Sequence, residues 1–352
     1  MNGVNNINSI VDKIAKSIPL DEYDVEYGEG NEKGEGYLGE MSFVKITPKK
    51  NEKTYNIAIK RAFTNKSVRE DVPIRQVFLH EVFFYKECCP ILQQLQSELD
   101  LPKFNNVPKC FYTSTEPENE YLAMENLKTS GFELFPKEKI IPYDHFEFIF
   151  KIYANLHATS FVLGKTQPEK FEKFALNCKD LSTLFFSNSA FNNVWNNMIA
   201  HAKEKLLPGQ DYNAIKDFEK KFCNNALSVF MESWIYNGGS KDTFDRLDDL
   251  LQVYYKSFSD VLKKAGLNSE EVYPYSLLKE EWKTYCIYGW IMSLTVIRIK
   301  LTNQEDKVDL IEMSNSDDKE EMAKKMFEGK PCEEYDRRVR ELILHVHEIG
   351  AL

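Results

Sequence analysis

Hydrophobic and polar positions divide the chain into two textures. Up to about Asn126 apolar residues alternate with polar ones in short runs; beyond it they recur at helical spacing for most of the remaining length. Tyr37 to Thr47 and Thr54 to Phe63 alternate as strands do and flank a polar turn at Lys50 to Lys53, which predicts a hairpin. From Pro73 a stripe of Phe78, Val82, Tyr85, Cys89 and Leu92, spaced 4, 3, 4 and 3, predicts an amphipathic helix with the proline in its first turn. Pro108 to Thr113 and Tyr121 to Glu125 read as two further strands around the polar turn Thr115 to Asn119, so the predicted order is strand, strand, helix, strand, strand. After Pro142 the stripe Phe146, Ile149, Tyr153, Leu156, Ser160 and Leu163 marks a long helix. Further helices are predicted over 190–206, 211–230, 243–265, 275–301, 317–327 and 333–348. Pro208-Gly209 is a break, and Gly266 after Lys263-Lys264-Ala265 has the signature of a helix C-terminus. The acidic stretch Asn303 to Asp318 reads as a solvated connection or the start of a helix.

Charge and composition narrow the function classes. Over 352 residues, 45 Lys and Arg face 55 Asp and Glu, a net charge of −10, which argues against nucleic-acid binding because that needs a cationic surplus to displace counterions from phosphates. No apolar run approaches the ~20 residues of a membrane-spanning helix, and Met1 to Ile10 lacks a basic segment followed by an apolar one. The expectation is a cytoplasmic protein without a membrane span. The seven cysteines lack C-x-x-C spacing and read as reduced and mostly buried.

Candidate chemistry gathers in the first part of the chain. Gly34-Glu35-Gly36-Tyr37-Leu38-Gly39 satisfies G-x-G-x-x-G, but a dinucleotide site needs a helix after the glycines and here a strand follows. A kinase-type glycine loop joins antiparallel strands and covers phosphates with its backbone. Glu29, Glu32, Glu35 and Glu40 weigh against that by repelling phosphate, and a plain glycine-rich hairpin competes with it. Ile57-Ala58-Ile59-Lys60 ends a strand and Glu81 follows 21 residues later on a helix, which fits the strand lysine and helix glutamate of a kinase N-lobe. Met124-Glu125-Asn126-Leu127 ends a later strand where a hinge belongs. Exposed lysines and glutamates are individually common, so it is the order of loop, lysine, glutamate and hinge that carries the reading. The candidate nucleotide-binding residues are Gly34, Gly36, Tyr37, Lys60, Glu81, Met124, Glu125 and Leu127.

The chemistry of transfer also needs a catalytic Asp and a metal-binding Asp. None of the six histidines is followed two residues later by Asp, so the chain holds no H-x-D loop. Asp217-Phe218-Glu219 lies in an amphipathic helical pattern, and Phe191 to Asn197 has no acid near it. His345-Val346-His347 points two rings in different directions along a helix. There is no G-x-S-x-G and no H-E-x-x-H. No catalytic residue and no metal ligand is assigned.

Taken together these segments resemble the ecdysteroid kinase-like family, choline-kinase-like small-molecule kinases. Phe78 to Tyr85 is similar to the family's E-x-x-F-Y helix, Tyr121 to Gly131 to its hinge, Tyr153 to Ser160 to its L-A-x-x-H-A-x-S helix, and Asp249 to Leu262 and Tyr335 to Leu352 to its C-terminal half. The resemblance implies an α+β, two-lobed protein-kinase-like fold. A small antiparallel sheet N-lobe with its helix and hinge would occupy 1–126, and a large, mainly helical C-lobe 127–352. It also implies ATP and Mg²⁺ as cofactors and phosphorylation of a hydroxyl on a small lipophilic alcohol such as an ecdysteroid. The departures are as informative. Gly36 and Gly39 stand where the family commonly has Asn and Ser, and Asn126 replaces the usual hinge Asp. The H-G-D-x-W-x-x-N loop and the D-F-Q segment have no counterpart, because Ala226 to Trp234 runs straight into Ile235 to Gly239, which resembles sequence downstream of that core. The expectation is therefore an incomplete C-lobe with an internal deletion near 226–234 and a catalytically deficient member. The alternative is a non-catalytic pseudokinase module that binds a nucleotide or a partner, and a purely structural helical protein stands third.

Overall fold

The structure is a computed structural model that describes residues 2–30, 38–50, 53–136, 139–177, 238–308, 310–318, 321–322, 324–325 and 332–351. The expected helices over 190–206 and 211–230, the proposed junction near 226–234, and Gly34, Gly36 and Tyr37 lie outside the described residues. The chain divides into two compact units. One comprises Met1–Pro90, Asn105–Leu134 and Asp309–Asn315; the other comprises Ile91–Phe104, Phe135–Val308 and Ser316–Leu352.

In the first unit a five-stranded antiparallel sheet is built from β1 (Tyr23–Tyr27), β2 (Gly39–Pro48), β3 (Tyr55–Ala62), β4 (Cys110–Glu116) and β5 (Asn119–Glu125). Its spatial order is β1-β2-β3-β5-β4. The two predicted hairpins are present, β2 with β3 and β4 with β5. The sheet is extended by β1 and covered by a helix, α1 (Asn2–Ser17), neither of which the apolar pattern had announced. Period-two alternation then assigns the faces. Ile10, Val11 and Ile14 of α1 are buried against Val44, Ile46, Ile57, Ile59, Tyr121 and Ala123, every second residue of three neighbouring strands. The intervening residues, among them Ala58, Lys60, Leu122 and Met124, belong to the other face.

That other face is met by α2 (Lys66–Asp71) and α3 (Ile74–Phe83), and the chain runs on through a π-helical turn, Phe84–Cys88, into α4 (Cys89–Glu98). The turn has a covalent cause. Pro90 offers no N–H and its ring would strike the carbonyl four residues back in a regular helix, so the backbone widens just before it. The apolar stripe stays in phase across the turn, with Phe78, Val82, Cys89 and Leu92 all buried. What fastens α2 and α3 to the sheet is Glu120 at the start of β5, whose side chain has no exposure to water. It accepts from Arg69 Nη2 of α2 and from Arg75 Nη1 of α3, each at 2.5 Å. Arg69 Nε also donates to the Phe63 carbonyl at 2.7 Å. Burial by itself would raise the Glu120 carboxyl, but the hydrogen bonds from Arg69 and Arg75 prevail and hold it below its ordinary 4.5.

The second unit is helical. Its axis is the pair α5 (Tyr143–Thr166) and, after α6 (Pro168–Asn177) and α7 (Lys241–Asp245), α8 (Leu247–Lys264). Ala154 and Ala158 of α5 let α8 approach closely, while Phe150 meets Tyr254 and Phe161 meets Phe258 edge to face. Gln96 of α4, fully buried, donates to Thr159 Oγ1 at 2.9 Å and accepts the Phe104 N–H at 2.8 Å, which satisfies both ends of its amide. The predicted glycine stop after α8 is observed: Gly266 has φ 76° and the Leu267 N–H bonds back to the Leu262 carbonyl at 2.9 Å. Beyond α9 (Ser269–Val272), α10 (Tyr275–Leu301) has the expected limits, and so does α12 (Glu333–Glu348). These two pack together with the Arg298 guanidinium 3.7 Å from the centroid of the Tyr335 ring. Between them α11 (Leu310–Asn315) falls in the acidic stretch that the pattern left open as connection or helix start.

Two acid responses follow. Replacing Glu120 with Gln leaves two arginines facing a neutral amide and should lower stability by about 3 kcal/mol. The contribution of the carboxylate is complete above its unfolded value and is lost as the pH falls through its lower folded one, so the denaturant midpoints of the variant and the wild type should draw together as the pH is lowered from the ordinary carboxylate range. In the second unit His157 shares a 2.9 Å hydrogen bond with Tyr254 Oη, and burial pushes its ring down from 6.5 to about 4. Between those values the unfolded chain holds a proton that the folded chain does not. Stability should therefore decline on acidification by up to about 1.4 kcal/mol per pH unit from this ring, a slope that His157→Gln removes in urea titrations.

Candidate functional site

The strand β3 places its lysine by register. Phe43 of β2, Ala58 of β3, Met124 of β5 and Cys110 of β4 stand directly opposite one another, and the next row on the same face is Met41, Lys60 and Leu122. A row of mostly apolar side chains thus lies beside a row centred on an ammonium. Lys60 Nζ sits 2.6 Å from Glu81 Oε2 of α3, with the two side chains 31% and 27% exposed, so the pair is sheltered without being sealed. The Phe78 ring, one turn before Glu81, lies 5.5 Å from Lys60 Nζ and limits where the ammonium can move. Lys60, Glu81 and Met124, assigned from spacing alone, are therefore brought to one face.

Burial pushes the Tyr85 hydroxyl well above its ordinary 10.0, and the Glu81 carboxylate raises it further. Burial likewise raises the Cys110 thiol to about 11. Both groups are neutral near pH 7.

The glycine-rich connection runs from β1 to β2, between antiparallel strands as a phosphate-covering loop requires. Three of its glycines can be judged by what a side chain would strike. A Cβ on Gly28 would come 3.3 Å from Phe43 Cβ, and one on Gly30 would come 3.3 Å from the Met41 carbonyl. At Gly39 it would lie 2.2 Å from the Arg61 carbonyl oxygen and 3.0 Å from the Phe78 ring. Gly39, one of the two glycines that depart from the resembled loop pattern, is therefore demanded by the packing of β2 against β3 and α3.

After β5 the chain turns sharply. Glu125 N–H bonds the Lys109 carbonyl at 2.8 Å and Asn126 N–H bonds the Asn56 carbonyl at 2.9 Å. Asn126 Oδ1 accepts from Lys128 N at 3.2 Å and so caps the 3₁₀ turn Leu127–Ser130, which Gly131 ends at φ 82°. An amide oxygen thus caps the turn at the position where the resembled pattern has Asp. Glu125 Oε1 accepts from Ser130 Oγ at 3.4 Å, so its side chain turns to the 3₁₀ turn that follows. Sequence spacing missed Lys128, whose Nζ lies 5.2 Å from the Phe43 ring, because nothing local marks a residue that reaches β2 from beyond β5.

A sequence model of the ecdysteroid kinase-like family matches residues 33–243, more than half of the chain. The chain belongs to that family. The match contains Lys60, Glu81 and Met124 to Leu127, and the sheet-plus-helix first unit with a mostly helical remainder agrees with a kinase-like α+β fold. No curated protein and no solved structure matches the chain.

The residues present fit ATP in part: a lysine anchored by a carboxylate, an apolar row beside it, and glycines whose backbone approaches β2. For Mg²⁺ the donor set differs, since among the described residues no three His, Cys, Asp or Glu side chains are gathered to hold a metal ion. No step through Mg²⁺ is derived.

Gly39→Ala tests the packing reading of the loop. Overpacking against a backbone carbonyl should cost about 1–3 kcal/mol, seen as a lower urea midpoint with an unchanged slope, whereas a glycine kept for nucleotide contact alone would leave the midpoint in place.

Proposed function

We propose that this kinase-like protein holds a nucleotide on its first unit without transferring phosphate. The reading rests on the Lys60–Glu81 ion pair at 2.6 Å. A lysine so paired presents its remaining N–H bonds in a fixed direction, suited to α- and β-phosphate oxygens. The row Phe43, Ala58 and Met124 offers an apolar surface for adenine, with Glu125 and Leu127 at the hinge. Gly34, Gly36 and Tyr37 would cover the phosphates. The domain reading that goes with this is an N-lobe and hinge over 1–126 and a C-lobe over 127–352 with an internal deletion near 226–234. The expected compartment is the cytoplasm.

Transfer is another matter. Family chemistry moves a phosphoryl group to a hydroxyl of a small lipophilic alcohol such as an ecdysteroid, and it needs a base for that hydroxyl and a carboxylate for the metal. The absence of any H-x-D sequence removes the usual source of the base. ATP should raise the melting temperature equally with and without Mg²⁺, the shift should vanish in Lys60→Met, and no ATP-dependent phosphorylation of ecdysteroid or choline should be measurable. Steady turnover that is abolished by Lys60→Ala would overturn the non-catalytic part; no ATP effect on the wild type would overturn the binding part.

A second reading is supported by the abrupt join of Ala226–Trp234 to Ile235–Gly239. Here the gene also yields a longer, active small-molecule kinase. Sequencing the transcript across the codons for Phe222 to Gly239 decides it: an added H-G-D and D-F-Q segment supports an active longer product, and a message as given leaves the nucleotide-holding reading alone.

A further inference from the structure

The helix α11 is an outlier in the chain. Val308 before it and Ser316 after it belong to the second unit, yet Asp309–Asn315 belongs to the first. Its seat there is α2. Met313 and Ser314 are 6% and 3% exposed, a burial unexpected for a six-residue helix in an acidic, solvated-looking stretch. One side chain does double duty at the contact. Asn65 Oδ1 accepts from Val68 N at 3.1 Å and so caps α2, while its Nδ2 donates to Asn315 Oδ1 at 3.3 Å.

The seat matters because of what α2 is joined to. Val72 and Pro73 connect it directly to α3, which carries Glu81. From inside, Glu120 draws Arg69 of α2 and Arg75 of α3 onto β5; from outside, α11 lies on α2. Of the two helices that set the Glu81 carboxylate against Lys60, α2 is thus held from both sides, and α3 is joined to it through Val72 and Pro73. The outer hold comes from a segment some 240 residues downstream of α2, as the separation of Asn65 and Asn315 by 250 positions shows.

We infer that α11 is a detachable strap: docked on α2 it keeps α2–α3 seated and Glu81 on Lys60, and released it loosens that pair. Met313 is its anchor and a positioning residue, remote from any nucleotide. A small apolar contact surface and one exposed amide–amide bond make such a hold strong enough to bias the helices and weak enough to let go. The part of this inference that concerns nucleotide affinity rests on the function proposed above; the part that concerns α2–α3 does not.

Hydrogen exchange resolved by peptide, on the full chain, separates the two. Met313→Asp puts a charge in the seat and should speed exchange across 66–83 by about tenfold or more while β3 and β5 keep their protection. Met313→Ala should give a smaller change in the same peptides, which covers the case in which the aspartate variant does not fold. Asn65→Ser retains a cap for α2 but is too short to reach Asn315, and should speed exchange in 310–315 before 66–83. Asp317→Asn, on the exposed turn beyond the strap, should change neither. If 66–83 exchange at the wild-type rate in both Met313 variants, or if the whole sheet loosens with them in Met313→Ala, the strap is refuted. With ATP as the probe, Met313→Ala should weaken binding several-fold, short of the loss in Lys60→Met. ATP binding unchanged by Met313→Ala, with 66–83 loosened, would refute the link to Glu81. No ATP binding by the wild type would refute the nucleotide reading and leave the exchange result to judge the strap.

Discussion

A carboxylate with no access to water has to be answered by cations, and in this protein the answer to Glu120 determines where two helices lie. Arg69 and Arg75 come from different helices, so satisfying one buried charge places both α2 and α3 on the sheet face that carries Lys60. Only with α3 so placed can Glu81 come within 2.6 Å of the ammonium. The opposite face is held chiefly by the hydrophobic effect, with the Ile10, Val11 and Ile14 side of α1 lying on Val44, Ile46, Ile57 and Ile59. The sheet is thus apolar on one side and polar at the centre of the other, and the second side is where chemistry can take place.

Membership of the ecdysteroid kinase-like family fits this division. The elements that would hold a nucleotide are assembled from short-range register, one ion pair and a capped turn, all within the first unit. The elements that would move a phosphoryl group require an acid-bearing loop, and the sequence lacks the motif that usually supplies one. Asn126 illustrates how a departure from the family pattern can be harmless: capping needs an acceptor oxygen, and an amide has one. Gly39 illustrates the reverse, a departure with a steric cause in its own neighbourhood.

What the amino-acid order determined by itself was whatever depends on neighbours along the chain. Alternation in Gly39 to Thr47, Tyr55 to Ala62 and Tyr121 to Glu125 is a local property, and those strands formed; the 3.6-residue stripes of 275–301 and 333–348 are local too, and the helices have those limits. The pairing of Lys60 with Glu81 was legible because strand register and helix periodicity both carry a phase, and the two phases agree. Tertiary structure alone decided the rest. The apolar residues of α1 are few among polar ones, and only a sheet waiting to be covered makes that helix necessary. The burial of Glu120 depends on two arginines 51 and 45 residues away, which no window along the chain can connect. Lys128 reaches Phe43 and α11 reaches α2 for the same reason: such contacts are stabilised by the folded surface they join, and the sequence between them carries no trace of the meeting.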